Sequence, residues 1–120
     1  MNAEEIKDFA LEALDDLKGR DAITLDVRPM TDITDYMLVC TGTSSRHVKS
    51  LADNVALELK KRGCPAMSVE GADHSAEWAL VDLGPVVVHV MLPETRDFYD
   101  LERLWSISPE DDSNEESDNE

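Results

Sequence analysis

The sequence is poor in several features that would settle its class at once. It has only two cysteines, Cys40 and Cys64, too few for a disulfide framework. Cys40 lies in the apolar run Tyr36-Met37-Leu38-Val39-Cys40 and reads as a small buried hydrophobe, while Cys64 follows Gly63 in a turn. Two free thiols fit a reducing compartment, so a cytoplasmic protein is expected. No apolar run approaches the roughly 18 residues of a membrane span. The N-terminus opens with Glu4 and Glu5 rather than a basic region and an apolar stretch, which argues against a targeting peptide. Aromatic residues make up only 5% of the chain, so each one carries weight. Basic residues are scarce too, 11 against 27 acidic, and the net charge is −16. Such a surface repels phosphate backbones, which disfavours direct nucleic-acid recognition. It favours a basic protein partner, met fastest at low salt.

What is present points to one globular domain. The 120 residues are 42% hydrophobic, enough for a single core without staples. Composition changes after Trp105. Residues 106–120 carry seven acids, no base and a single large apolar residue, Ile107. A segment of that kind is expected to be a disordered acidic tail, leaving a domain over residues 1–105. The domain keeps 20 acids and 11 bases, so it is acidic without the tail.

Ile6, Phe9, Ala10, Ala13, Leu14 and Leu17 recur at helical spacing. Asn2 and Glu5 form a capping-box pattern ahead of them, and Gly19 reads as the stop. Ile23, Leu25 and Val27 alternate with polar residues as in a strand that Pro29 ends. The Tyr36–Cys40 run reads as a strand covered on both faces. Thr41-Gly42-Thr43-Ser44-Ser45 is a capping loop before a second helix, whose apolar side is Val48, Leu51, Ala52, Val55 and Leu59. A short strand is expected over Ala66–Glu70. Two further β-rich segments flank Gly84-Pro85, which suits a type II′ hairpin with Leu83 opposite Val86 and Val81 opposite Val88. A closing helix is expected from Pro93-Glu94, with Phe98, Leu101, Leu104 and Trp105 on its apolar side. The fold class is therefore α/β (α+β), a single mixed five-stranded sheet with about three helices and one sheet face partly open.

The hairpin register puts Ala79, Val81, Leu83, Val86, Val88 and Val90 on one face, which must be core. Trp78, Leu80, Asp82, Val87, His89 and Met91 share the other. Two readings stay open for this second face: packing under a helix, or a partner site with a polar rim. Chemistry is weakly signalled. His47, His74 and His89 are far apart and none has metal-ligand spacing, so no metal or cofactor is expected. Ser44, Ser45, His47 and Asp35 lack a nucleophile elbow, and the serines read as helix caps. Gly42-Thr43-Ser44 loosely resembles a nucleotidyltransferase loop, but the strand after the second helix offers Glu70 alone where that chemistry needs paired carboxylates. No catalytic residue is assigned.

Taken in order, these stretches resemble the ribosomal silencing factor (Iojap-like) family. The residues that carry the resemblance are Asp35-Tyr36, Thr41-Gly42-Thr43-Ser44-Ser45-Arg46-His47, Glu70-Gly71, Trp78-Ala79-Leu80-Val81-Asp82-Leu83-Gly84, Val87-Val88-His89-Val90, Arg96-Asp97-Phe98-Tyr99 and Leu101-Glu102-Arg103-Leu104-Trp105. Gly84-Pro85 departs from the family's usual Gly-Asp, and Met91-Leu92 stands where an aromatic is common. The resemblance implies a fold similar to the nucleotidyltransferase fold without its catalytic carboxylates. It implies a non-enzymatic translational repressor that binds the large ribosomal subunit through its basic ribosomal protein fourteen and sterically blocks subunit association. Homodimers off the ribosome are implied as well. The partner-binding residues expected on this basis are Trp78, Leu80, Asp82, His89 and Met91, with Glu70 and Tyr99 at the rim. The alternatives are a small acidic interaction module with a non-ribosomal partner and a nucleotidyltransferase-like enzyme.

Overall fold

The chain opens on helix α1 (Ala3–Asp16). Asn2 Oδ1 accepts the Glu5 N–H at 2.8 Å, and Glu5 accepts the Asn2 N–H at 3.0 Å, so the expected capping box forms. The helix ends one residue before Leu17, and the left-handed residue that turns the chain is Lys18 at φ 62°, not Gly19. Gly19 serves a different end: a Cβ there would lie 2.5 Å from the Cys40 sulfur. The computed structural model describes residues 1–106; the tail expected to be disordered lies outside them from residue 107 onward.

Strand β1 (Arg20–Asp26) begins three residues earlier than its side-chain alternation suggested, because its backbone pairs with β2 (Tyr36–Thr41) as far as Arg20 opposite Thr41, across a bulge. Every β2 residue is buried, as expected of a strand covered on both faces. Helix α2 (Ser45–Lys61) is capped by Ser44, and its stripe Val48, Leu51, Ala52, Val55 and Leu59 is fully buried. The third strand, β3 (Ser68–Glu70), is shorter than expected, with Met67 exposed before it. The hairpin β4 (Trp78–Asp82) and β5 (Val86–Met91) has the expected register, Val81 opposite Val88. The Leu83 N–H donates to the Val86 carbonyl at 2.9 Å, and Gly84 holds the turn at φ +89°, where a side chain would be strained.

The sheet order is β1-β2-β5-β4-β3, with β2 and β5 parallel and all other pairs antiparallel. Helices α1 and α2 cover one face. Their apolar stripes meet Tyr36, Leu38, Cys40, Ala79, Val81, Leu83, Val86, Val88 and Val90 in one buried cluster. The residues assigned to the inner face of the hairpin are all core.

The closing helix differs from expectation. It is broken into α3 (Pro93–Tyr99) and α4 (Leu101–Ser106), with Asp100 between them in the left-handed region. Phe98 is 81% exposed and Leu104 63% exposed, so their helical spacing does not bring them into the core. The two short helices lie on the second sheet face, α3 against β5 and α4 against β1. Arg96 fastens them: Nη1 donates to Thr41 Oγ1 at 2.8 Å, and Nε and Nη2 donate to Glu102 Oε2 at 3.1 and 2.9 Å.

Candidate docking face

The second sheet face is built by strand alternation. Trp78, Leu80 and Asp82 of β4 stand beside their partners Met91, His89 and Val87 of β5. The C-terminal helices cover part of this face, so its residues divide. Met91 and His89 are buried; Trp78, Leu80, Asp82 and Val87 are half-buried; Glu70 and Tyr99 are exposed. The face is therefore core at His89 and Met91, as packing under a helix requires, and open at the β4 edge. In this conformation His89 and Met91 support the surface from beneath.

Trp78 is the pivot. Its Nε1 donates to His89 Nδ1 at 2.9 Å, which leaves the imidazole proton on Nε2. Burial lowers the His89 pKa from 6.5 to about 4, so the ring is neutral at physiological pH. The Tyr99 ring lies 4.7 Å from the Trp78 ring, and Phe98 meets Tyr99 edge-on at 5.0 Å. Phe98, Tyr99, Trp78 and His89 thus form a continuous row from solvent into the core. Phe98, noted in the sequence for its helical spacing in the closing helix, was absent from the expected site. The break at Asp100, which separates α3 from α4, has no glycine to announce it.

Acids accompany this row. Glu77, Asp97 and Asp100 are exposed beside Trp78, Phe98 and Tyr99 in sequence. Asp82 Oδ1 accepts the Gly84 N–H at 2.9 Å, so that carboxylate also shapes the hairpin turn. Between β3 and β4 a shallow depression of about 260 Å³ is lined by Glu70, Gly71, Trp78 and Leu80. Gly71 closes its end at φ +76°; a Cβ there would collide with the Trp78 carbonyl.

Ser44 and His47, which stood among the candidates for nucleophilic chemistry, are engaged in structural hydrogen bonds. Ser44 Oγ accepts the His47 N–H at 3.1 Å. His47 Nδ1 accepts the Thr43 N–H at 2.9 Å, and Nε2 donates to the Leu17 carbonyl at 2.8 Å, tying the end of α1 to the start of α2. A larger cleft of about 490 Å³ lies at Arg20, Asp21, Thr41, Pro93, Arg96, Asp97 and Glu102, but its buried Arg96 is held by Thr41 and Glu102. Among the described residues, no three His, Cys, Asp or Glu side chains are grouped to hold a metal ion. No described helix is long and apolar enough to cross a membrane.

Comparison with known proteins bears on this architecture. A family model described as "Ribosomal silencing factor during starvation" matches residues 1–120. The chain belongs to the ribosomal silencing factor family. A ribosomal silencing factor of Chromobacterium violaceum is 50% identical over 105 residues, 88% of this chain and 85% of its own. The Bacillus subtilis ribosomal silencing factor is 38% identical over 91% of this chain and 92% of its own. A mouse relative, 37% identical over 88% of this chain and 47% of its own, is named mitochondrial assembly of ribosomal large subunit protein 1. Among solved structures, a Chromobacterium violaceum protein superposes with a TM-score of 0.86 at 50% identity, covering 88% of both chains. One from Bacillus halodurans superposes at 0.76 with 33% identity, covering 85% of this chain and 94% of its own. The α+β fold with its single mixed sheet is thus a ribosomal silencing factor fold, and the family's description names a role in silencing ribosomes.

Proposed function

We propose that this chain is a translational repressor that binds the large ribosomal subunit through its basic ribosomal protein fourteen and sterically blocks association with the small subunit. The observation that carries the reading is the row Trp78, Tyr99 and Phe98, which runs out to a ring 81% exposed and is accompanied by exposed acids. Large aromatics at the centre of a contact with a charged rim are what a protein interface uses. A net charge of −16 suits a basic protein set in RNA better than the RNA itself. The mouse relative's name supports the large subunit as the target. Trp78, Leu80, Asp82, Glu70 and Tyr99 make the contact, with Phe98 added, and His89 and Met91 hold Trp78 in place. The protein acts by occupying space, without catalysis, metal or cofactor, in the cytoplasm, and it pairs with a second copy when off the ribosome.

Sucrose-gradient sedimentation with separated subunits tests this. The protein is expected to travel with the large subunit and to reduce joined ribosomes when the small subunit is added. Phe98→Ser should weaken co-migration while leaving the melting temperature nearly unchanged, because exposed substitutions usually alter stability by less than about 0.5 kcal/mol. Absence from large-subunit fractions at both low and moderate salt would sink the proposal.

A further inference from the structure

We infer that the depression between β3 and β4 is a socket for an arginine side chain of the partner. The inference deepens the proposed function and rests on it for the identity of the macromolecule, though not for the chemistry of the socket. Glu70 lies opposite Leu80 across the β3–β4 pair, which makes Trp78 its diagonal neighbour on the same face. Such neighbours lie roughly 7–8 Å apart between backbones, and both side chains border the same depression. Leu80 supplies apolar surface beside them, and the whole depression holds about 260 Å³. Among the described residues, the exposed Glu70 carboxylate has neither a hydrogen bond nor an ion pair, so its charge is free for an incoming cation. Trp78 is fixed before any partner arrives, by its bond to His89 at 2.9 Å and by the Tyr99 ring at 4.7 Å. Gly71 keeps the end of β3 against β4; any side chain there would force the strands apart.

A carboxylate beside an aromatic wall selects for a cation that is flat. Guanidinium stacks on an indole and pairs with a carboxylate through two parallel N–H bonds, whereas an ammonium offers a point charge that is more strongly hydrated. The socket is therefore assigned to arginine in preference to lysine.

Two measurements on the full chain test this separately from the docking itself. The first is an NMR titration of the isotopically labelled protein with N-acetyl-arginine amide, with N-acetyl-lysine amide and N-acetyl-glycine amide as controls. The arginine probe should shift the resonances of Glu70, Gly71, Leu80 and the Trp78 indole saturably, and Glu70→Gln should abolish the effect. No saturable shift, equal shifts from the lysine probe, or an unchanged response in Glu70→Gln would overturn the assignment. The second is co-sedimentation with large subunits, where Glu70→Gln should weaken binding about tenfold, as expected for one lost charge-assisted pair. Wild-type sedimentation matched by Glu70→Gln refutes the socket and leaves the docking face standing. Failure of the wild type to sediment refutes the docking, and the titration alone then decides the socket.

Discussion

Acidification toward pH 5 should weaken this protein in part through one buried ring, His89. His89 is 6% exposed and accepts the Trp78 indole N–H at 2.9 Å. Protonating Nδ1 would break that bond and place a charge in an apolar setting. Burial accordingly holds the folded pKa at about 4 against 6.5 for an ordinary histidine. Between those values the unfolded chain binds a proton at His89 that the folded chain refuses, so stability falls as pH drops from about 6.5 and the loss is complete below about 4. At 1.36 kcal/mol per pH unit the full effect is roughly 3 kcal/mol, and about 2 kcal/mol of it is present at pH 5. The perturbation is His89→Gln, which cannot titrate but keeps an acceptor for Trp78. Urea denaturation of both proteins at pH 7.5 and pH 5 gives the answer as a difference of differences, in which His47, His74 and the carboxylates cancel. The variant should lose about 2 kcal/mol less than the wild type between the two pH values. Equal losses would show that His89 charges freely in the folded state, and would refute both its burial and its bond to Trp78.

Other consequences of the packing can be checked with less. Leu51→Ala, at a fully buried position of α2, should cost about 2–5 kcal/mol in a denaturant titration; a cost under 1 would place α2 off the sheet. Gly19→Ala should destabilise by about 1–3 kcal/mol through overpacking against the Cys40 sulfur. The double variant Gly19→Ala with Cys40→Ala should be less destabilised than the sum of the singles; strict additivity would mean the two do not touch. Burial raises the Cys40 thiol to about 11, while Cys64 is half-buried at the edge of the core. A thiol reagent at pH 8 should label one cysteine, Cys64, in the native protein and both in denaturant; rapid labelling of Cys40 would overturn the core assignment.

The elements that were legible in the sequence are those whose signals are local. Asn2 with Glu5, Ser44 before α2, and Gly84-Pro85 between two β-rich runs each name a cap or a turn within four residues. Once the hairpin register is set, the all-valine inner face of β5 has one place to go. The second face was ambiguous because its composition suits two environments, and what divides it lies elsewhere in the chain. The Arg96 contacts with Thr41 and Glu102 bring α3 and α4 onto the sheet, over His89 and Met91 but not over Leu80. Those partners are 55 and 6 residues away from Arg96, beyond the reach of periodicity. The break between α3 and α4 depends on Asp100 at φ 49°, a conformation aspartate tolerates but does not advertise. β1 extends to Arg20 because backbone pairing needs no apolar side chain to continue it.

The order β1-β2-β5-β4-β3 leaves two strands with an unpaired side, and unpaired backbone invites strand addition and aggregation. Both margins are blunted. β3 offers only three residues, too few for a stable further pairing, and β1 carries Arg20, Asp21 and Asp26 around a bulge with Asp21 at φ 50°. Self-association by extending the sheet, which is hard to undo, is thereby discouraged. Any association this protein makes is left to side chains on its faces, where contacts form and release one at a time.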